Sequence, residues 1–74
     1  MTDYQPIDCG VHDRLESFSV LRTRCRIDFQ AADDATRSVT GRITDIFTRE
    51  GAEYLRTDDG TEIRLDRLRT VEPT

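Results

Sequence analysis

Few residues of this sequence could act in catalysis or bind a metal ion. Their spacing indicates neither a catalytic site nor a metal site. The chain has one histidine, His12, and two cysteines, Cys9 and Cys25. None of them belongs to a C-x-x-C or H-x-x-x-H motif, the spacing typical of zinc sites. A serine nucleophile needs a histidine oriented by a third group, and no serine of the chain has such an arrangement with His12. We therefore expect no metal, no cofactor and no enzymatic activity.

The carboxylates of the first 21 residues are the most concentrated charge of the chain. Residues 1–21 contain four carboxylates and one arginine, a net charge of −3 out of the −4 of the whole chain. An acidic surface repels nucleic acid phosphates, but it can imitate them for a basic partner. Asp13 and Glu16 are the candidate docking residues. A solvated helix face with no partner is the other interpretation, and the charge pattern alone favours it.

A helix over residues 9–20 must position these carboxylates. Asp8 is a preferred N-cap residue and follows an extended arm, residues 1–8. The apolar stripe of the helix recurs at i, i+4 and i+7, at Val11, Leu15 and Phe18. Asp13 and Glu16 then project from the opposite side, where Arg14 is expected to place a positive charge between them. His12 is predicted near the outer side, as a partner contact or as an exposed histidine without a role.

Beyond the helix, the apolar period changes to two, which predicts strands. One face of the first strand is predicted to hold Leu21, Thr23, Cys25, Ile27 and Phe29. Its other face is predicted to hold Arg22, Arg24, Arg26, Asp28 and Gln30. The second strand contains Gly41, which suggests a bulge or tight curvature. A loop at Arg49, Glu50 and Gly51 leads to the third strand.

The last third of the chain predicts a hairpin and a short final strand. Asp59 and Gly60 form the Asp-Gly dipeptide of the hairpin turn, and Ile63 and Leu65 follow on the inner face of strand four. The fold class is therefore mainly β with one N-terminal α-helix. We expect a single domain over residues 1–74, with a small five-stranded, strongly bent SH3-like or Sm-like barrel over residues 21–72.

Two features of the sequence suggest direct RNA binding as an alternative function. Arg22, Arg24 and Arg26 form either an RNA-binding stripe or an outer strand face paired with nearby acids, and the net negative charge favours the second interpretation. Tyr54 is either a stacking platform for bases or a residue at the edge of the core, and a single aromatic favours the core. We therefore expect no direct nucleic acid contact.

The sequence resembles the Rho-binding antiterminator family. The motifs that carry the resemblance are Tyr4-Gln5-Pro6-Ile7, Cys9, Asp13, Leu15-Glu16, Asp45, Arg49, Glu53-Tyr54-Leu55, Ile63-Arg64-Leu65-Asp66 and Leu68. They run from the N-terminal arm to the final strand. The resemblance implies an Sm-like barrel with an N-terminal helix that binds the transcription-termination factor Rho and blocks its primary RNA-binding site.

The resemblance also implies which residues touch Rho. Asp13 and Glu16 match the acidic helix residues, and Arg49, Glu50 and Gly51 match a loop that docks beside them. Asp8 and His12 complete the candidate set on the helix. With no secretory or membrane-spanning segment in the sequence, we expect a cytoplasmic monomer. A scaffold module that binds another transcription or translation factor, and an Sm-like RNA-binding module, remain the alternatives.

Overall fold

The computed structural model describes residues 4–74, in which one helix precedes five strands. Their bounds are α1 Cys9–Leu21, β1 Arg24–Gln30, β2 Thr36–Arg49, β3 Ala52–Thr57, β4 Glu62–Arg64 and β5 Leu68–Pro73. A single 3-10 turn, Leu65–Arg67, joins β4 to β5. Within this part of the chain, no helix is long and apolar enough to cross a membrane.

The strands form one antiparallel sheet in the order β4-β3-β2-β1-β5. The 14-residue strand β2 pairs with β1 through its first half and with β3 through its second half. The register of β2 against β3 shifts between Ile43 and Asp45, and such irregularities bend a strand. The predicted mainly β fold, one N-terminal helix followed by a small bent barrel of five strands, is therefore confirmed.

The core lies between the bent sheet and α1. Its buried members are Leu15, Cys25, Ile27, Ile43, Leu55, Ile63 and Leu65. Leu15 is the one buried residue of α1, while Ile7 and Phe18 pack against the core from its edge. The predicted inner positions Cys25 and Ile27 are fully buried, as strict alternation along β1 requires. Cys9 is exposed, and no disulfide joins the two cysteines.

The predicted start of the first strand is wrong by three residues. Leu21 is the last residue of α1 and is 71% exposed instead of lying on the inner face. The helix ends because Arg22 takes a left-handed backbone conformation with φ of 54°. The N–H of Thr23 then donates to the carbonyl of Phe18 at 3.0 Å, which satisfies a helix-end acceptor.

Gly41 has a different role from the predicted bulge. The irregularity lies at Ile43–Asp45, and Gly41 is a regularly paired, buried residue opposite Cys25. A Cβ at position 41 would lie 2.5 Å from Oδ1 of Asp58. A side chain at position 41 would therefore displace the carboxylate of the exposed Asp58, and the small size of glycine lets the β3–β4 turn approach this strand closely.

Candidate functional site

A histidine joins the acidic helix to the β2–β3 hairpin. His12 Nε2 lies 2.8 Å from Glu53 Oε2 on β3, and His12 Nδ1 lies 3.2 Å from Glu16 Oε1 one helical turn away. The imidazole is half-buried, with 26% of the side chain exposed. The prediction of an outward-facing His12 is therefore wrong. Its ring bridges two carboxylates and fixes α1 against the sheet.

The turn of the β2–β3 hairpin lies beside this contact. Arg49 and Ala52 are directly opposite each other, and the two turn residues Glu50 and Gly51 have φ values of 52° and 81°. Glu53 follows Ala52 immediately, so the bond from His12 to Glu53 holds the helix next to the turn. The structure thus holds α1 next to the β2–β3 turn, and these are the two segments that are predicted from the sequence to bind the partner.

The exposed carboxylates of α1, its N-cap and the hairpin turn form what we call the acidic face: Asp8, Asp13, Glu16 and Glu50. Asp8 also lines, together with Arg14, a groove between α1 and β5. All four residues are exposed. Among residues 4–74, no ion pair involves Asp8, Asp13 or Glu50. Asp8 and Asp13 therefore carry negative charges that no ion pair offsets and that are available to a basic partner, whereas Glu16 contacts His12 and Glu50 interacts electrostatically with the neighbouring Arg49.

Arg14 does not weaken the acidic face as expected. Its guanidinium carbon lies 5.3 Å from the centre of the Phe18 ring, on the side of α1 that lines a groove along β5. Residues 14 and 16 are two positions apart, which places them on nearly opposite sides of a helix with about 3.6 residues per turn. The charge of Arg14 therefore points away from Glu16, while Asp13 lies about 100° from Arg14 around the helix axis.

Arg49, another predicted Rho contact, makes its contacts on the outer face of the sheet. Its Nη1 donates to Glu62 Oε1 at 3.0 Å, and its guanidinium carbon lies 5.1 Å from the centre of the Phe47 ring. Both neighbours are on the outer face of the sheet, away from His12. Gly51 supplies the backbone conformation of the turn and has no side chain to contribute. Of the three loop residues, Glu50 alone adds charge to the acidic face.

The N-terminal arm is held against the barrel, as the structural interpretation of the arm motif requires. The hydroxyl of Tyr4 donates to Glu53 Oε1 at 3.4 Å, and the backbone N–H of Gln5 donates to Asp66 Oδ2 at 3.1 Å. Burial raises the pKa of Tyr4 to about 12, and the nearby carboxylates of Glu53 and Asp66 add to the increase. The phenol therefore stays neutral and donates.

Asp66 ties the arm to the barrel, and replacing it with asparagine is expected to lower the free energy of unfolding by about 1–3 kcal/mol at pH 7. Arg64 donates to its carboxylate twice, at 2.7 and 2.6 Å, and these bonds hold the pKa of Asp66 below its ordinary value of 3.8. A lowered folded-state pKa stabilises the protein above the unfolded-state pKa, and that stability is lost as pH falls through the folded-state pKa.

The difference between wild type and Asp66→Asn should therefore shrink once the pH falls below about 4. Urea unfolding at pH 7, 5, 4 and 3 measures it. Glu72→Gln is the control, because Glu72 is exposed and forms no ion pair among the described residues. A difference that stays constant down to pH 3 would show that Asp66 acts through packing rather than charge.

His12, Asp13 and Glu16 are also the one group among residues 4–74 with a geometry that suits a metal ion. Their ligand atoms lie within 4.8 Å of one another. Both ring nitrogens of His12, however, already face the carboxylates of Glu16 and Glu53. Asp13 and Glu16 are exposed, and no buried polar side-chain atom among the described residues lacks the hydrogen-bond partner that a metal ion could replace. We assign no metal to this group.

Glu53 is the residue of the sheet that His12 contacts, and the sequence alone did not indicate this role. Glu53 alternates with Leu55 and Thr57, which are both buried. A carboxylate in that alternation faces inward and needs a hydrogen-bond partner. That pattern is the signal that could have identified it, while the identity of the partner, 41 positions earlier in the chain, needed the fold.

The arginines predicted as a stripe on strand one are separated in the structure. Arg22 belongs to the end of α1, and Arg26 Nε lies 3.3 Å from Asp28 Oδ1. Arg24 is exposed and lies directly opposite Arg42. The pairing of Arg26 with an acid agrees with the outer-face interpretation for that residue, whereas Arg24 forms no ion pair with any acid of residues 4–74.

Comparison with known proteins identifies no relative. No protein-family model matches the chain, and neither the curated proteins nor the solved structures contain a significant match.

Proposed function

We propose that this protein is a non-enzymatic inhibitor of transcription termination that binds Rho and blocks its primary RNA-binding site. One observation carries the binding mode: a pre-formed helix presents exposed Asp13 and Glu16 near a hairpin turn that contains Glu50, and neither Asp13 nor Glu50 forms an ion pair among the described residues. The choice of Rho as the partner rests on the sequence resemblance. The acidic helix and the turn are the two segments that the resemblance nominates.

The physical basis of the inhibition is competition for cationic groups. RNA binds a basic groove through its phosphates, and carboxylates form hydrogen bonds with the same arginine and lysine side chains. The acidic face is held in place by the contacts of His12 with Glu16 and Glu53, so little conformational entropy is lost on binding. Overlap of the two binding sites then suffices to keep a transcript away.

The backbone of Glu50 supports a functional role for its side chain. Its φ of 52° is a conformation in which a β-hairpin turn favours asparagine, aspartate or glycine. Glutamate is an unfavourable residue there, and residues held in such conformations cluster at functional sites. An acidic residue at this position adds negative charge next to α1 at a cost in stability.

Glu50→Asn is therefore expected to separate stability from binding. Asparagine fits the turn, so the free energy of unfolding should rise by up to about 1 kcal/mol. The loss of one carboxylate should weaken Rho binding several-fold. Urea unfolding and biolayer interferometry with immobilised Rho measure the two effects, and Glu50→Asp, which keeps the charge in a residue that the turn tolerates, is the matched control. Unchanged Rho affinity in Glu50→Asn would remove the turn from the binding surface.

The decisive experiment measures binding of the protein to Rho with and without a C-rich RNA oligonucleotide. Under the proposed mechanism, the RNA displaces the protein and binding weakens as salt concentration rises. Simultaneous binding of RNA and protein would rule out occupation of the primary site. A complete absence of binding at low salt would rule out Rho as the partner and favour a scaffold that recruits another factor.

A further inference from the structure

The outer face of the β2–β3 hairpin carries a second surface with chemistry opposite to that of the acidic face. Phe47 and Tyr54 are directly opposite each other on neighbouring strands, and their rings are stacked with centres 5.5 Å apart and planes inclined by 13°. Both residues are half-buried. Two aromatic side chains therefore form one continuous flat surface on the outside of the barrel.

Two arginines lie over this aromatic surface. The guanidinium carbon of Arg49 is 5.1 Å from the Phe47 ring centre and 5.5 Å from that of Tyr54. The guanidinium carbon of Arg56 lies 5.0 Å from the Phe47 ring centre. Planar cations held against aromatic rings are suited to stacking with a further planar group, such as a nucleobase.

The carboxylate of Glu62 accepts hydrogen bonds from both arginines of this surface, in the position where an anionic ligand would bind. Glu62 Oε1 accepts from Arg49 at 3.0 Å, and Glu62 Oε2 accepts from Arg56 Nε at 3.1 Å and Nη2 at 2.8 Å. These hydrogen bonds, with Arg56 making the larger contribution, hold the pKa of Glu62 below its ordinary value. The two guanidinium groups are thus oriented to share one anion, and a phosphate offers the same acceptor geometry.

We propose that this surface, formed by Phe47, Tyr54, Arg49 and Arg56, binds single-stranded RNA, with a base stacked on the aromatic–guanidinium layer and a phosphate in the position of the Glu62 carboxylate. Aromatic and guanidinium groups on the face of a sheet are a common means of binding single-stranded RNA, because unpaired bases offer their flat faces for stacking. The phenol hydroxyl of Tyr54 is a hydrogen-bond partner for the 2′-hydroxyl that DNA lacks.

The charge along the same side of the barrel extends the surface. Arg24 and Arg42 are exposed and directly opposite each other, and neither guanidinium forms an ion pair or hydrogen bond with the residues that the structure describes. Like charges in this position repel unless an anion lies between them. Arg42 precedes Phe47 by five residues on β2, and the irregularity at Ile43–Asp45 and the exposed Asp45 lie between them. The arginine pair is the candidate contact for a second phosphate of the same RNA strand.

This inference does not depend on Rho. The expectation of no direct nucleic acid contact follows from the net charge of −4, which averages over two surfaces of opposite character. The acidic face lies on α1 and the hairpin turn, whereas the cationic and aromatic groups lie on the outer face of β2 and β3, next to the carboxylates of Glu62 and Asp45. A protein with this distribution can bind a basic partner with one surface and RNA with the other.

The test is fluorescence anisotropy with a fluorescein-labelled 12-nucleotide oligouridine at 50 mM salt. Glu62→Gln is the central variant, because removal of the internal anion frees both guanidinium groups. We expect it to tighten binding at least about threefold over wild type. Glu72→Gln, which makes the same change of net charge elsewhere, should leave the affinity within a factor of 1.5, taken as roughly the reproducibility of the assay. Tyr54→Ala should weaken binding by about fivefold or more, through the loss of one stacked base.

The outcomes that would overturn the proposal are specific. An equal gain in Glu62→Gln and Glu72→Gln would indicate general charge attraction without a site. No binding by Glu62→Gln, in a protein with a wild-type circular dichroism spectrum, would also reject it. Equal affinity for oligothymidine would reject the assignment to RNA.

The affinity should fall with salt at a slope between about −1 and −2 in log–log form, since two phosphates contribute roughly 0.7 each. Rho binding by the same variants is expected to be unchanged by Tyr54→Ala, which keeps the two proposals separable.

Discussion

Reversal of the two helix carboxylates, Asp13→Lys with Glu16→Lys, is expected to weaken binding to Rho by at least about a hundredfold. Each carboxylate is exposed on α1 and positioned to accept from a basic side chain. A hydrogen bond to a charged group contributes about 1.5–3 kcal/mol, and 1.4 kcal/mol corresponds to a factor of ten in affinity. Lysine at both positions removes the two contacts and adds repulsion.

The measurement is the dissociation constant by biolayer interferometry at two salt concentrations. Asp45→Lys with Glu72→Lys is the matched control, since both residues are exposed, lie outside the acidic face and change the net charge equally. Because Glu16 contacts His12, the folded state of each variant is checked by circular dichroism. An equal loss of affinity in both double variants would show that net charge, and not the acidic face, controls binding.

Leu15→Ala is expected to have the largest effect on stability. Leu15 is 1% exposed and is the one residue through which α1 enters the buried core. Removal of a buried leucine side chain typically lowers the free energy of unfolding by about 2–5 kcal/mol. A chain of fewer than 80 residues rarely has more than about 3–5 kcal/mol of stability from its core. The variant should therefore be largely unfolded at 25 °C.

Urea unfolding followed by circular dichroism tests this expectation. Val20→Ala is the control within the same helix, because Val20 is 80% exposed and its replacement should change the free energy of unfolding by less than about 0.5 kcal/mol. Equal shifts for the two variants would contradict the central place of Leu15 in the core. If Leu15→Ala remains folded, its Rho affinity reports whether a correctly docked helix is needed for binding.

The helix shows which structural features the period of apolar residues predicts and which it does not. The i, i+4, i+7 pattern correctly identifies the helix and the buried Leu15, and Asp8 correctly marks its start, although the Asp8 side chain makes no capping hydrogen bond. It does not reveal that Val11 remains 43% exposed beside a groove, or that His12 turns inward to Glu53. Which side of a helix is covered depends on the width and position of the partner surface. A helical pattern contains no information about either.

The strands likewise show which positions the alternation of apolar residues predicts and which depend on strand register. Alternation correctly places Cys25 and Ile27 in the core and Ile63 on the inner face of strand four. Tyr54 was expected at the edge of the core, and its half-buried ring instead stacks on Phe47 at the outer face. The register of β2 against β3 decides this contact, and the irregularity at Ile43–Asp45 lies between the two halves of β2. A shift of one residue reverses which side chains face outward.

The sequence by itself therefore determined the class of the fold, the helix and its acidic side, the Asp-Gly hairpin and most of the core. These features depend on local backbone geometry and on the period of apolar residues, which neighbouring residues specify. Tertiary structure alone decided the contacts of His12 and Tyr4 with Glu53, across 41 and 49 positions, and the gathering of two arginines and two aromatics around Glu62. Those contacts depend on how the strands are paired and where the barrel bends, because only then are residues distant in sequence brought within hydrogen-bonding distance.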